Sequence, residues 1–421
     1  MADVKPLRTL RYDLRTVGSL DAVIAPPYDV IDPERRAALV ARSPFNVVEV
    51  DLPEPAGGED PYLHAANTLE AWNQQGILVR EREPALWVLE QEFTPPDGSR
   101  RTRRGFFARV RVEDYGPGRI RPHERTQPGP KEDRLRLTRA TRANLSPIFS
   151  LFDDPQEGAW SALAPATHED PFATALDDQG VEHRLWRVTD PEAIAAVERA
   201  LAERELLIAD GHHRYETARI YAREVGGEGE HSYVLMFLCS LSDPGLEVFP
   251  THRLLTELGD PAVQERLGAA LERDFEIEEV AERDIQPPRS SGRVALGYMD
   301  AHFRRPYRLT LNDPARAAEA LPERSEAYRA LDTAVLEALV LRDALGMSEE
   351  DIAAQRGIAY AKSTEEALEA VRSGAVDAAF FMRATPIDQV RAVAAAGESM
   401  PPKSTYFYPK VPTGLVFSPL E

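Results

Sequence analysis

The stretch LLIADGHHRYETARIYAREVG, Leu206 to Gly226, decides how the chain is read. LLIA has the composition of a fully buried strand, and YETARIYAREVG has helical spacing with Gly226 as its stop. DGHHR therefore occupies a strand-to-helix turn. Gly211 lets the backbone bend tightly and lets a ligand approach closely. The amides from His212 to Tyr215 open a helix, where the macrodipole favours an anion. Two imidazoles and the Arg214 guanidinium add donors suited to phosphate. Asp210 ends the strand, placed to hold a metal or to orient a histidine. The plain alternative is an N-cap aspartate with solvated polar neighbours. A zinc site is disfavoured, because adjacent histidines point apart and no matching Cys or His cluster accompanies them.

On both sides of this unit the pattern alternates between strands and helices. ALWVLEQEF and GFFARVRVEDY read as a hairpin joined at PPDGS, and VIAPPYDVI as a strand broken by Pro26 and Pro27. PYLHAANTLEAWNQQGIL and DPEAIAAVERALAERE read as helices, the second capped by Thr189 or Asp190. LSPIFSLFDD, HRLWRVTD and SYVLMFLCSL read as strands. After Thr251 come a hairpin (RVALGYMD, PYRLTL), the helices LDTAVLEALVLRDAL and STEEALEAVRSG, and the strand AAFFMRA. The expected class is α+β, mixed α/β, in three parts: 1–112, 113–250 and 251–421.

The totals bound the function. At 421 residues the chain is too long for one ordinary core. A formal net charge of -20 argues against nucleic acid as the main partner. The single cysteine, Cys239, lies in an apolar run too short to span a bilayer, and MADVKPLRTLRYD has no apolar signal-peptide core. A cytoplasmic protein with no membrane partner is expected, and nothing in the sequence fixes its oligomeric state.

The chain has 5 lysines against 45 arginines, so the surviving lysines are informative. Lys131 sits in GPKEDR; Lys403 and Lys410 sit in MPPKSTYFYPK. A compact ammonium beside a phosphate is a role arginine does not duplicate. The loop RIRPHERTQPGPKEDRL places Glu124 among cations, as a general base for an alcohol or as a salt-bridged surface acid. The tail MPPKSTYFYPKVPTGLVF either lines a pocket or packs as a terminal strand pair.

APPYDVI, PHERT…PKEDRL…NLSPIF, IADGHHRYETA and MPPKSTYFYPK, in that order, resemble the domain of unknown function 1015 family, over nearly the whole chain. The strand–DGHHR–helix unit is also similar to the signature of the ParB/sulfiredoxin-like fold, and DGHHR in particular to that of the free serine kinases. That second resemblance implies a ParB/sulfiredoxin-like catalytic core and phosphoryl transfer from ATP or ADP, with Mg2+, to the hydroxyl of free L-serine. It implies Glu124 of Pro122-His123-Glu124 as base, with His123, Arg125 and Thr126 at the acceptor. Asp210 stands near metal and substrate, and His212 joins the catalytic set. Gly211, His212, His213 and Arg214 surround the phosphates, assisted by Lys131, Lys403 and Ser404. About 85 residues separate Glu124 from Asp210, so an insertion is implied. The sulfiredoxin reaction is not expected, since DGHHR lacks its cysteine. A nucleotide-binding regulator without transfer is the main alternative; a ParB-like nuclease or DNA-binding factor runs against the charge.

Overall fold

The computed structural model describes residues 2–55, 57–124, 126, 128–289 and 292–421, the side chain of 128 excepted. The chain divides into two compact units. Met1–Pro122, Thr126–Leu246 and Pro409–Glu421 form the first; His123–Arg125 and Glu247–Tyr408 form the second. Each has its own sheet and core, and the class is mixed α/β.

In the first unit nine strands share a sheet: β1 (Val4–Lys5), β2 (Leu86–Phe93), β3 (Arg101–Arg111), β4 (Ile120–Arg121), β5 (Ile148–Phe152), β6 (Ala173–Leu176), β7 (Glu182–Val188), β8 (Leu206–Asp210) and β9 (Tyr233–Ser240). Their order is β4-β8-β5-β9-β3-β2-β7-β6, with β1 added on β3. β2 and β3 are the expected hairpin, in antiparallel register from Trp87 opposite Phe107 to Phe93 opposite Arg101. Six successive residues of β9 are buried, as an unbroken apolar run requires when both faces are covered. Cys239 is among them, and burial pushes its thiol well up.

Three helices matter for the site: α1 (Pro128–Thr141), α2 (Pro191–Leu201) and α3 (His212–Val225). Asp190 caps α2, its carboxylate accepting from the amides of Glu192 and Ala193. The expected boundary at residue 112 falls next to the end of β3, which pairs with β9 within one sheet. VIAPPYDVI forms no strand. Tyr28–Val30 is a 3-10 turn, and Ala25 makes a single bridge to Thr413. Pro26 and Pro27 donate no amide hydrogens, so a ladder cannot propagate through them.

The second unit carries a six-stranded antiparallel sheet: β10 (His252–Leu255), β11 (Phe275–Glu279), β12 (Ala295–Asp300), β13 (Tyr307–Leu311), β14 (Ile358–Ala361) and β15 (Ala378–Phe381), in the order β11-β13-β12-β15-β10-β14. Helix α4 (Pro261–Asp274) precedes β11. The tail forms the strand pair Tyr406–Tyr408 with Glu247–Phe249.

His252 of β10 has no exposed surface. Its Nδ1 accepts the amide of Met382 at 3.0 Å, which fixes a neutral ring. Burial, then the neighbouring Arg253, pushes the imidazole down to about 4. An unfolded histidine titrates near ~6.5, so the contribution of His252 is full above that pH and is lost as pH falls towards 4. The interval is worth about 3 kcal/mol. The denaturation midpoint is expected to drop between pH 7 and 4.5, and His252→Asn, which offers an uncharged acceptor, to flatten that drop. An equal drop in the variant would exclude His252 as its origin.

Candidate functional site

β8 reaches the turn with four buried apolar residues, and its pairing with β5 shifts register between Ile208 and Asp210, setting Asp210 opposite Phe149. Gly211 follows at φ 97. A Cβ here would lie 3.0 Å from Arg214 Nε and 3.1 Å from its Cζ. Glycine is therefore required twice, for the left-handed backbone and for the guanidinium that folds back over it. Tyr215 makes the first helical bond of α3, to the Gly211 carbonyl at 3.0 Å, and Gly211 as N-cap brings no side chain of its own to the helix start. The first-turn amides and the macrodipole thus favour an anion at the turn.

The charges around Asp210 are closely set. Lys410 donates to Oδ1 at 2.6 Å and Arg214 Nη2 to Oδ2 at 2.5 Å. Arg214 Nη1 also donates to the carbonyl of Pro147. All three side chains are largely buried. Burial opposes ionisation of Asp210, but the Lys410 ammonium and then the Arg214 guanidinium override it and hold the carboxyl well below the usual range. Burial likewise opposes the charge on Arg214; Asp210, then Asp29, outweigh it and raise its value. One anion and two cations leave the cluster net positive, which suits a phosphate.

Lys410 is itself held. Its carbonyl accepts from Gln91 Nε2 at 3.0 Å, and Gln91 Oε1 accepts from Arg103 Nε at 3.1 Å. Arg103 is fully buried, its guanidinium 4.5 Å from the Phe149 ring and 5.5 Å from that of Phe237. Burial lowers it to about 10, so it stays charged at neutral pH. Another buried polar group lies in the same unit. Arg134 sits over the Tyr28 ring at 4.1 Å and donates to the Asp51 carbonyl, while Ser146 donates to Asp51 Oδ2 at 2.8 Å.

Sequence reasoning singled out Lys410 as a rare lysine without joining it to Asp210, and it missed Arg103 and Gln91. The first unit brings together Asp210, Gly211, His212, His213 and Arg214. Thr126 is half-buried in this unit, and Lys131 lies on α1, its carbonyl accepting from Thr217 of α3 at 3.4 Å.

The second unit gathers His123, Glu124, Lys403 and Ser404. Glu124 pairs with Met400 in a parallel bridge, and the Met400 amide donates to the His123 carbonyl at 2.7 Å. Glu124 Oε1 accepts the Lys403 amide at 3.3 Å. His123 is buried, with Nε2 2.8 Å from Thr405 Oγ1. Ser404 is also buried; its hydroxyl donates to the Pro401 carbonyl at 2.6 Å and lies 3.0 Å from Thr333 Oγ1. Arg125 lies outside the described residues.

The donor set does not fit a resident metal. Both Asp210 oxygens accept from cations, and among the described residues no group of three or more His, Cys, Asp or Glu could hold an ion. Lys410 and Arg214 engage both oxygens of Asp210, the residue expected beside the metal. Among the described residues no helix is long and apolar enough to cross a membrane.

The model of the family described as a protein of unknown function (DUF1015) matches residues 4–334, and the chain belongs to that family. No curated protein matches. Several solved structures are similar at a low level. A conserved hypothetical protein from Pyrococcus furiosus is 17% identical, with 70% of this chain and 92% of that one covered and a TM-score of 0.35. A free serine kinase in complex with AMP is 16% identical, with 70% and 88% covered and a TM-score of 0.34. SbnI with a C-terminal truncation, from Staphylococcus aureus, is 11% identical, with 75% and 87% covered and a TM-score of 0.38. Similarities of this size carry no part of the functional argument.

Proposed function

We propose that the protein is a nucleotide-dependent small-molecule kinase that phosphorylates the hydroxyl of free L-serine, on a ParB/sulfiredoxin-like core around the turn at Gly211. The observation that carries this reading is the turn itself. A helix start with a left-handed glycine as its N-cap and two buried cations on Asp210 form a cradle of the kind that holds phosphates.

In this reading the turn amides, His212, His213 and Arg214 hold the donor's phosphates, with Lys131 and Lys403 as further cations. Asp210 anchors Lys410 and Arg214. Glu124 accepts the proton of the serine hydroxyl as its oxygen bonds to the terminal phosphorus and the bond to the departing nucleotide breaks. Arg125 and Thr126 belong to the acceptor side together with His123. Magnesium bound with ATP or ADP would supply charge neutralisation on the phosphates. Phosphoryl transfer asks mainly for such positioning and charge stabilisation.

A second reading is favoured by one observation: both oxygens of Asp210 are already committed to cations. A protein that binds a nucleotide and transfers nothing needs no more than this.

Phosphorus NMR of the protein with magnesium, ATP or ADP, and L-serine separates the two. The kinase is expected to yield a phosphoserine resonance that depends on both serine and protein. An intact donor with broadened signals would establish the sensor instead, and sharp, unperturbed donor signals would sink both.

A further inference from the structure

In the second unit a cavity of about 580 Å3 opens between α4 on one side and β12, β13 and the start of β15 on the other. Its size is within the usual range for small-molecule sites, roughly 300–1,000 Å3. Two tyrosines, Tyr298 and Tyr307, wall it from the strands, and Phe303 stands at the tip of the β12–β13 hairpin. Asp300 fixes that tip, its Oδ1 accepting the amides of His302 at 3.0 Å and Phe303 at 2.7 Å. Phe303 is nevertheless 70% exposed, a large aromatic ring held on an ordered turn with little of the protein against it.

Gly268 gives the second, independent indication. It lies inside α4, a helix of 14 residues, where glycine is a poorer helix former than alanine. No neighbour demands it: a Cβ built there meets nothing within 4 Å, and its φ is not positive. Gly268 lines the cavity, so its missing side chain widens the space. The helix accepts a destabilising residue whose only structural effect is room.

The charge of the lining selects the occupant. Glu272, Asp300 and Asp377 face the space, and neither lysine nor arginine lines it. The Asp377 carboxylate is fixed by the Leu258 amide, which donates to Oδ2 at 2.8 Å. Fixed acids beside aromatic faces attract a cation through both charge and ring quadrupole, whereas a nucleotide phosphate would be repelled.

We propose that this cavity binds a small aromatic amine, its ring among Tyr298, Tyr307 and Phe303 and its protonated nitrogen towards Asp300, Asp377 and Glu272. The site lies wholly within the second unit and does not depend on the phosphoryl-transfer reading.

Titration calorimetry of the full chain with tryptamine, and with indole-3-acetate as an anionic ring of similar size, tests this. Tryptamine is expected to bind saturably at one site, about tenfold or more tighter than indole-3-acetate. Gly268→Phe should fill the cavity and weaken tryptamine about tenfold or more while the unfolding midpoint holds. Should that variant lose its midpoint, Phe303→Ala and Glu272→Gln decide, since both side chains are exposed and neither is needed for folding; each should weaken tryptamine several-fold. Absence of tryptamine binding, equal affinity for the two probes, or unchanged affinity in the folded variants would overturn the proposal.

Discussion

Asp210→Asn is expected to lower the stability of the protein by about 3–5 kcal/mol, the usual consequence of leaving a buried charge without its partner. The substitution keeps the shape and removes the carboxylate on which both Lys410 and Arg214 are paired. Two cations then share one neutral amide oxygen in a largely buried setting, with the Pro147 carbonyl as a further acceptor for Arg214. A double variant, Asp210→Asn with Lys410→Met, should recover part of the loss, because it removes one of the stranded charges. The pH dependence follows from the depressed carboxyl. A folded value below the unfolded ~3.9 contributes stability that is full above that pH and fades as pH falls. The wild type should therefore lose more stability on acidification than Asp210→Asn. Denaturant midpoints at pH 7 and pH 3.5 measure both effects, and a variant as stable as the wild type would show that the trio does not hold the turn.

Glu124→Gln is expected to reduce phosphoserine formation by about 10²–10⁴-fold, the range associated with a lost general base. Nucleotide affinity should stay within about threefold, well under the 1.4 kcal/mol that a tenfold change represents. The choice of glutamine matters. Its side-chain carbonyl still accepts the Lys403 amide, so the backbone between Met400 and Ser404 keeps the contact that Glu124 Oε1 now makes. A loss confined to turnover would then mark the missing proton acceptor. Retained turnover would remove Glu124 from the reaction, and joint loss of turnover and binding would make it a binding residue.

Much of this architecture was legible because its signals are local. The strand that becomes β8, the glycine, and the helix that becomes α3 are written within 21 successive residues, and each local preference agrees with the final structure. The same holds for the β2–β3 hairpin and for the Asp190 cap. What could not be read depends on distant partners. Lys410 meets Asp210 across 200 residues, and no periodicity encodes such a pairing. Arg103 stands in RTRRGFFARV with nothing to separate it from the half-buried arginines of that strand; the rings of Phe149 and Phe237 against it reveal a buried charge. His123 and Glu124 join the second unit through their backbone contacts with Met400, although the chain up to Pro122 belongs to the first. A polar loop carries no mark of that exchange. In VIAPPYDVI the apolar letters outnumbered the prolines, yet the missing amides decided the outcome.

The position of Lys410 also orders events during synthesis. The first unit is interrupted after Leu246 and resumes at Pro409, with the body of the second unit encoded between. A ribosome that has just added Asp210 must add 200 more residues before Lys410 exists. At about 5–20 residues per second this takes roughly 10–40 s. Throughout that interval the nascent turn has Arg214 but lacks its lysine, so the anion cradle is finished among the last features of the molecule. On the proposed reading, competence to hold a phosphate with both cations is thereby reserved for chains whose inserted segment has already been translated.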